Sequence, residues 1–199
     1  MLEQLSKFLT QVFPISVIIA IITFAYKEFS EKRRRDKARN SKERAYAHVL
    51  GREIKDNFEA LDDFYKIVSF IEDHRECNKI QVSLFRLTHG YESCQIKADS
   101  DSLEMQLPRF KSTWYERLLP ELAEKDENLA SCISKAYDKI YFVSDKRNLI
   151  SSLMAGELSG FLKMCATTNF SLLAPERDRI EKSLTTAYQA LTGKEKILP

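Results

Sequence analysis

The run FLTQVFPISVIIAIITFAYKEFSEKRRRDKARNSKER, residues 8–44, passes without interruption from an apolar stretch into a dense basic one. No charged residue falls between Lys7 and Lys27. A spanning helix needs about 20 apolar residues, and Thr10, Gln11, Ser16 and Thr23 are polar residues that a helix in lipid satisfies internally. The pattern therefore predicts a transmembrane helix over 8–26. Lys27 to Arg44 holds nine Lys or Arg against four acids, whereas only Glu3 and Lys7 precede the apolar run. The positive-inside rule then places residues 1–7 outside and the bulk of the chain in the cytoplasm, as a single-pass protein of the cell inner membrane. A cleavable signal peptide carries its basic residues before the apolar run and a small-residue cleavage site after it; here both are missing, so the expectation is an uncleaved signal-anchor.

The 199 residues are 44% apolar, enough for one such anchor and a single further domain at 45–199. The net charge of +2 conceals a split: residues 1–44 carry 10 bases and 5 acids, and residues 45–199 carry 21 bases and 24 acids. The 27–44 segment reads as a basic juxtamembrane helix. Its Lys32, Arg33, Arg34, Arg35, Lys37 and Arg39 are candidates for lipid headgroups, which attract such residues by roughly 1 kcal/mol each. A mildly acidic remainder argues against broad nucleic-acid binding. Cys77, Cys94, Cys132 and Cys165 form no C-x-x-C pair and are expected as reduced thiols.

Five glycines and five prolines, with long stretches rich in Glu, Lys, Leu and Ala, indicate an all-α fold. Ala47, Leu50, Ile54, Asn57, Leu61, Phe64, Val68 and Ile71 recur at spacings of three and four, which predicts one amphipathic helix running from Lys27 to Asp73 and continuous with the anchor. About 74–102 is the irregular insertion. Within it Ile80, Val82 and Leu84 alternate like a short strand, and Thr88-His89-Gly90 and Ala98–Ser102 look like turns. Further helices are expected around Trp114 and Leu118, over Asn128–Lys146, from about Asn148 to Cys165, and from Pro175 to a stop at Gly193. Trp114, the only tryptophan, is expected to anchor the core. The sum is a helical bundle.

Candidate functional residues are few. Ser16, Ala20 and Thr23 form a stripe of small residues, a candidate face for self-association between helices. Asn57 is a polar amide at a core position, where a hydrogen bond to a neighbouring helix fixes register. His74, Cys77, His89 and Cys94 have zinc-like intervals in an unusual order; coincidence is the favoured reading, so no metal and no cofactor is expected. Arg44 and His48 lie one turn apart, an arrangement able to act on a phosphodiester, but no phosphate loop or hydrolase motif accompanies them.

This layout, with a helix reading RAYAHVLGREIKDNFEAL over residues 44–61, resembles small membrane-anchored prokaryotic antiviral defence effectors, nearest the CRISPR accessory membrane proteins with a HEPN-like helical domain. The resemblance implies a homo-oligomer that compromises the bilayer by a pore or by disruption, with lipid as a partner and a cytosolic protein or a nucleotide or RNA signal as trigger. The Arg44 to His48 spacing is shorter than the one that marks HEPN ribonucleases, so the expectation is not an enzyme. A tether or scaffold recruiting a cytosolic partner is the alternative, and a degenerate ribonuclease using Arg44 and His48 is the second.

Overall fold

The protein is described by a computed structural model, which covers residues 15–77, 80–86, 92–153, 157–158, 172–194 and 197. Helix α1 (Ile15–Asp73) is followed by β1 (Ile80–Arg86), β2 (Glu92–Ala98) and β3 (Asp101–Gln106). Then come α2 (Thr113–Lys125), α3 (Glu127–Leu153), the two-residue strand β4 (Glu157–Leu158), a 3-10 turn (Ala174–Glu176) and α4 (Arg177–Thr192). The chain divides into two compact units, Met1–Tyr46 and Ala47–Pro199.

In the first unit, Ile15, Ile19, Ile21, Ile22, Phe24, Tyr26 and Phe29 are exposed on α1. Among the described residues no helix is long and apolar enough to cross a membrane. From Ile15 the helix meets its first charge, Lys27, after a stretch of about 18 Å at 1.5 Å per residue. A hydrocarbon core is about 30 Å thick. The expected transmembrane helix at 8–26, the signal-anchor and the single-pass inner-membrane location are therefore corrected; residues 8–14 of the expected span lie outside the described residues.

The second unit is mostly helical, but it is not all-α. The stretch read as irregular forms β1, β2 and the start of β3 of an antiparallel sheet in the order β3-β2-β1-β4, to which β4 comes from residues 157–158. Ile80 faces Ala98 and Arg86 faces Glu92, while Ser93 faces Gln106 and Ala98 faces Asp101. Cys94, Ile96 and Ala98 are buried at every second position of β2, and Ile80 and Val82 do the same on β1. Two residues, Asp99 and Ser100, join β2 to β3, with Asp99 at φ 51°, a left-handed conformation that aspartate tolerates better than most residues. The buried alternation on β2 is only three residues deep, too short to stand out in the sequence, and the strand is held by pairing with β1 on one side and β3 on the other.

The helices follow their local signals. On α1 the stripe Leu50, Ile54, Asn57, Leu61, Phe64, Val68 and Ile71 is buried. Gly51 allows α4 to come close, because a Cβ there would sit 3.0 Å from Cγ2 of Thr192. Asp126 alone separates α2 from α3: its N–H bonds Leu122 O at 2.8 Å and its carboxylate caps Leu129 N–H at 2.9 Å. The two helices expected over 128–146 and from 148 are one continuous α3 as far as Leu153; beyond it Glu157 and Leu158 form β4, so the helix expected as far as Cys165 is corrected, and residues 154–156 and 159–165 lie outside the described residues. Pro175 opens the 3-10 turn, and Gly193, at φ 70°, closes α4 by donating its N–H to Gln189 O at 2.8 Å.

Candidate functional site

The buried face of α1 carries one charge. Glu53 lies three residues after Leu50 and four before Asn57, and is 3% exposed. Its carboxylate is fully engaged: Oε2 accepts the backbone N–H of Trp114 at 2.8 Å, and Oε1 accepts the N–H of Tyr115 at 3.1 Å and the Tyr137 hydroxyl at 2.7 Å. The two N–H groups are orphan donors of the first turn of α2, so Glu53 caps that helix from a distant part of the chain and offsets the positive end of its dipole. Tyr137 stacks on Tyr115 at 4.0 Å between centroids. Burial, reinforced by the Glu53 contact, pushes the Tyr137 phenol well above its ordinary range.

One turn further along, Asn57 holds the residue that leads into α2. Its Nδ2 donates to Lys111 O at 2.8 Å and its Oδ1 accepts Lys111 N–H at 2.7 Å. The partner is the peptide of a connecting segment, not a neighbouring helix. Lys111 Nζ in turn donates to Asp56 at 2.7 Å. Glu53 and Asn57 thus pin both ends of the Lys111–Tyr115 backbone to α1, and a cleft opens beside that seam.

His48, Val49, Arg52, Glu53 and Asp56 line one wall of the cleft, with Lys111 and Trp114 opposite, around a volume of about 330 Å³. His48 and Arg52 are exposed, one turn apart. Trp114 is 39% exposed, so the expectation of a core tryptophan is corrected; the neighbouring Tyr115 takes the buried position with Leu118 and Leu122. The Arg117 guanidinium lies 5.7 Å from the Trp114 ring centroid. The α2 N–H groups at Trp114 and Tyr115 are consumed by Glu53. Any anion in the cleft would therefore be met by side chains.

The other residues singled out in the sequence lie elsewhere. Arg44 is exposed on α1, four residues before His48. Ser16 and Ala20 line a shallow hollow of about 410 Å³ with Val17, Ile21 and Phe24, and the Thr23 hydroxyl donates to Ile19 O at 2.8 Å. Lys32, Arg33, Arg34, Arg35, Lys37 and Arg39 are exposed, and Arg35 pairs with Glu31 and Arg39 with Glu43 at 3.1 and 3.0 Å. His74 spends both ring nitrogens, Nδ1 on Phe70 O at 2.8 Å and Nε2 on Asp101 at 3.0 Å. Cys77 is half-buried, and Cys94 is buried in β2 with its thiol pushed up to about 11 by desolvation. His89 lies outside the described residues. Among the described residues no group of three metal-ligating side chains comes together.

Sequence reasoning passed over Arg52, Glu53 and Lys111, and assigned Trp114 to the core. For Glu53 a signal exists, since an acid on a stripe that is otherwise apolar must find partners. No protein family, curated protein or solved structure matches the chain.

Proposed function

We propose that this chain is a non-enzymatic, self-associating module, whose N-terminal apolar segment joins copies of itself and whose second unit is the part presented by the assembly. The observation that supports the reading is the exposure of Ile15, Ile19, Ile21, Ile22, Phe24, Tyr26 and Phe29 on one stretch of helix. At about 100° per residue these side chains wrap more than half of the helix circumference. A stripe of that width is wider than one neighbouring helix covers. Contiguous apolar surface of this kind marks an interaction site. Ser16 and Ala20 form the low floor of the hollow bounded by Val17, Ile21 and Phe24, which suits a large apolar side chain from a second copy. The effector role implied by the resemblance to small defence proteins would then be exerted through assembly.

The test is the mass of the full chain in solution over a range of concentrations, beside a variant carrying Ile21→Ser and Phe24→Ser. A discrete assembly larger than a dimer, reduced to monomer by the double substitution, is expected. A monomer at every concentration would end the proposal. A scaffold that recruits a different protein is the second reading, and exposed Trp114 on the second unit favours it. Replacing residues 15–29 with a polar helix would leave such recruitment intact while abolishing self-association.

A further inference from the structure

The cleft beside the Glu53 seam is chemically uneven. Asp56 is matched by Lys111 at 2.7 Å, and Glu53 by three donors, so both acids in the wall are already satisfied. Arg52 and His48, by contrast, have no hydrogen bond or ion pair among the described residues, although both line the cleft. The uncompensated charge of the cavity is therefore positive. Across from it stands Trp114, more than a third exposed, and Arg117, whose guanidinium lies 5.7 Å from that ring, adds a further cation at the rim. Two unpaired donors one helical turn apart, facing a flat aromatic surface, form the two halves of a recognition site: one for an anion and one for a planar ring.

We propose that this cleft binds a nucleoside monophosphate, with the phosphate on Arg52 and His48 and the base against Trp114. A guanidinium presents paired donors that match phosphate oxygens. The imidazole of His48 adds one more. Exposed aromatic rings take up bases of any identity by stacking, which makes the site tolerant of the base and selective for the phosphate. The cavity, about 330 Å³, lies at the small end of the range for ligand pockets, which favours a mononucleotide over a larger ligand. This inference is independent of self-association, because every lining residue belongs to the second unit.

The sole tryptophan makes the test direct. AMP, GMP, CMP and UMP are titrated into the full chain while Trp114 fluorescence is followed, with adenosine and inorganic phosphate as half-ligands and calorimetry as a second readout. Saturable binding of at least one nucleotide is expected, tighter than that of adenosine or phosphate alone. Arg52→Ala, which removes a side chain that makes no hydrogen bond or ion pair among the described residues, should weaken it about tenfold or more, Arg52→Lys less, and Trp114→Ala should weaken it by calorimetry. No saturable response to any of the four nucleotides at millimolar concentration would overturn the proposal, as would an Arg52→Ala protein that binds like the parent or a phosphate-only response unaffected by Trp114→Ala.

Discussion

The Tyr137 hydroxyl donates to the Glu53 carboxylate at 2.7 Å in the middle of the second unit, joining α3 to α1 at the point where α2 begins. The same carboxylate takes two backbone N–H groups of α2, so one side chain connects three helices. A buried acid is tolerable here because each of its oxygens is occupied.

Removing that acid leaves three donors without a partner, two of them buried. Glu53→Ala is expected to destabilise the fold by about 3 kcal/mol or more, and Tyr137→Phe, which removes a single donor, by about 1–2 kcal/mol. Chemical denaturation of the two single variants and the double variant measures both. The double variant should cost less than the sum, since Tyr137→Phe removes a group that Glu53→Ala would otherwise leave unsatisfied.

Asn57 meets the backbone N–H and the C=O of one residue, Lys111, an arrangement that only an amide fits. Asn57→Asp places an oxygen against Lys111 O at the position where Nδ2 donates, and is expected to cost about 2–3 kcal/mol in thermal or denaturant unfolding. Asn57→Gln keeps the chemistry and displaces it by one methylene. An Asn57→Asp protein as stable as the parent would show that the clamp contributes nothing.

His74 predicts a dependence on pH. Both ring nitrogens face acceptors, so only the imidazolium satisfies Phe70 O and Asp101 together. The Asp101 carboxylate, helped by the Phe70 carbonyl and by the charge of Asp73, holds its pKa above the ordinary 6.5. A raised folded value means that the contribution is fully present below pH 6.5 and is lost as pH rises through the folded value. Asp101→Asn should flatten the decline in stability across that window, and an NMR titration of His74 should show its pKa fall.

Arg147 binds two segments from the end of α3. It donates to Pro108 O at 3.1 Å and to the Glu92 carboxylate, and its side chain is mostly buried. Arg147→Ala is expected to cost about 2–3 kcal/mol. Arg147→Lys should recover only part of that, because one ammonium cannot reproduce the guanidinium fork. Hydrogen exchange should show the loss first in β2 and in residues 107–112.

The helices were legible because their signals are local. Leu50, Ile54, Leu61, Phe64, Val68 and Ile71 share a face at 3.6 residues per turn, and Pro175 and Gly193 mark the ends of the last helix by backbone geometry that any chain obeys. Helix α3 was split in the sequence reading because the apolar pattern weakens near Lys146, and neither proline nor glycine breaks it there. The expected membrane span came from the mean character of residues 8–26, whereas among the described residues no helix is long and apolar enough to cross a membrane.

What the sequence by itself determined is thus the helical periods, their stops, and the exposed apolar and basic character of residues 15–44. The tertiary structure alone decided the partners. Glu53 and Tyr137 are 84 residues apart, Arg147 and Glu92 are 55 apart, and Asn57 meets Lys111 across 54. No spacing rule links residues at such distances, because their meeting depends on how whole helices pack. The pairing of β1 with β4 and the cleft of Arg52, His48 and Trp114 arise the same way, from segments that acquire a role only when a buried face elsewhere brings them together.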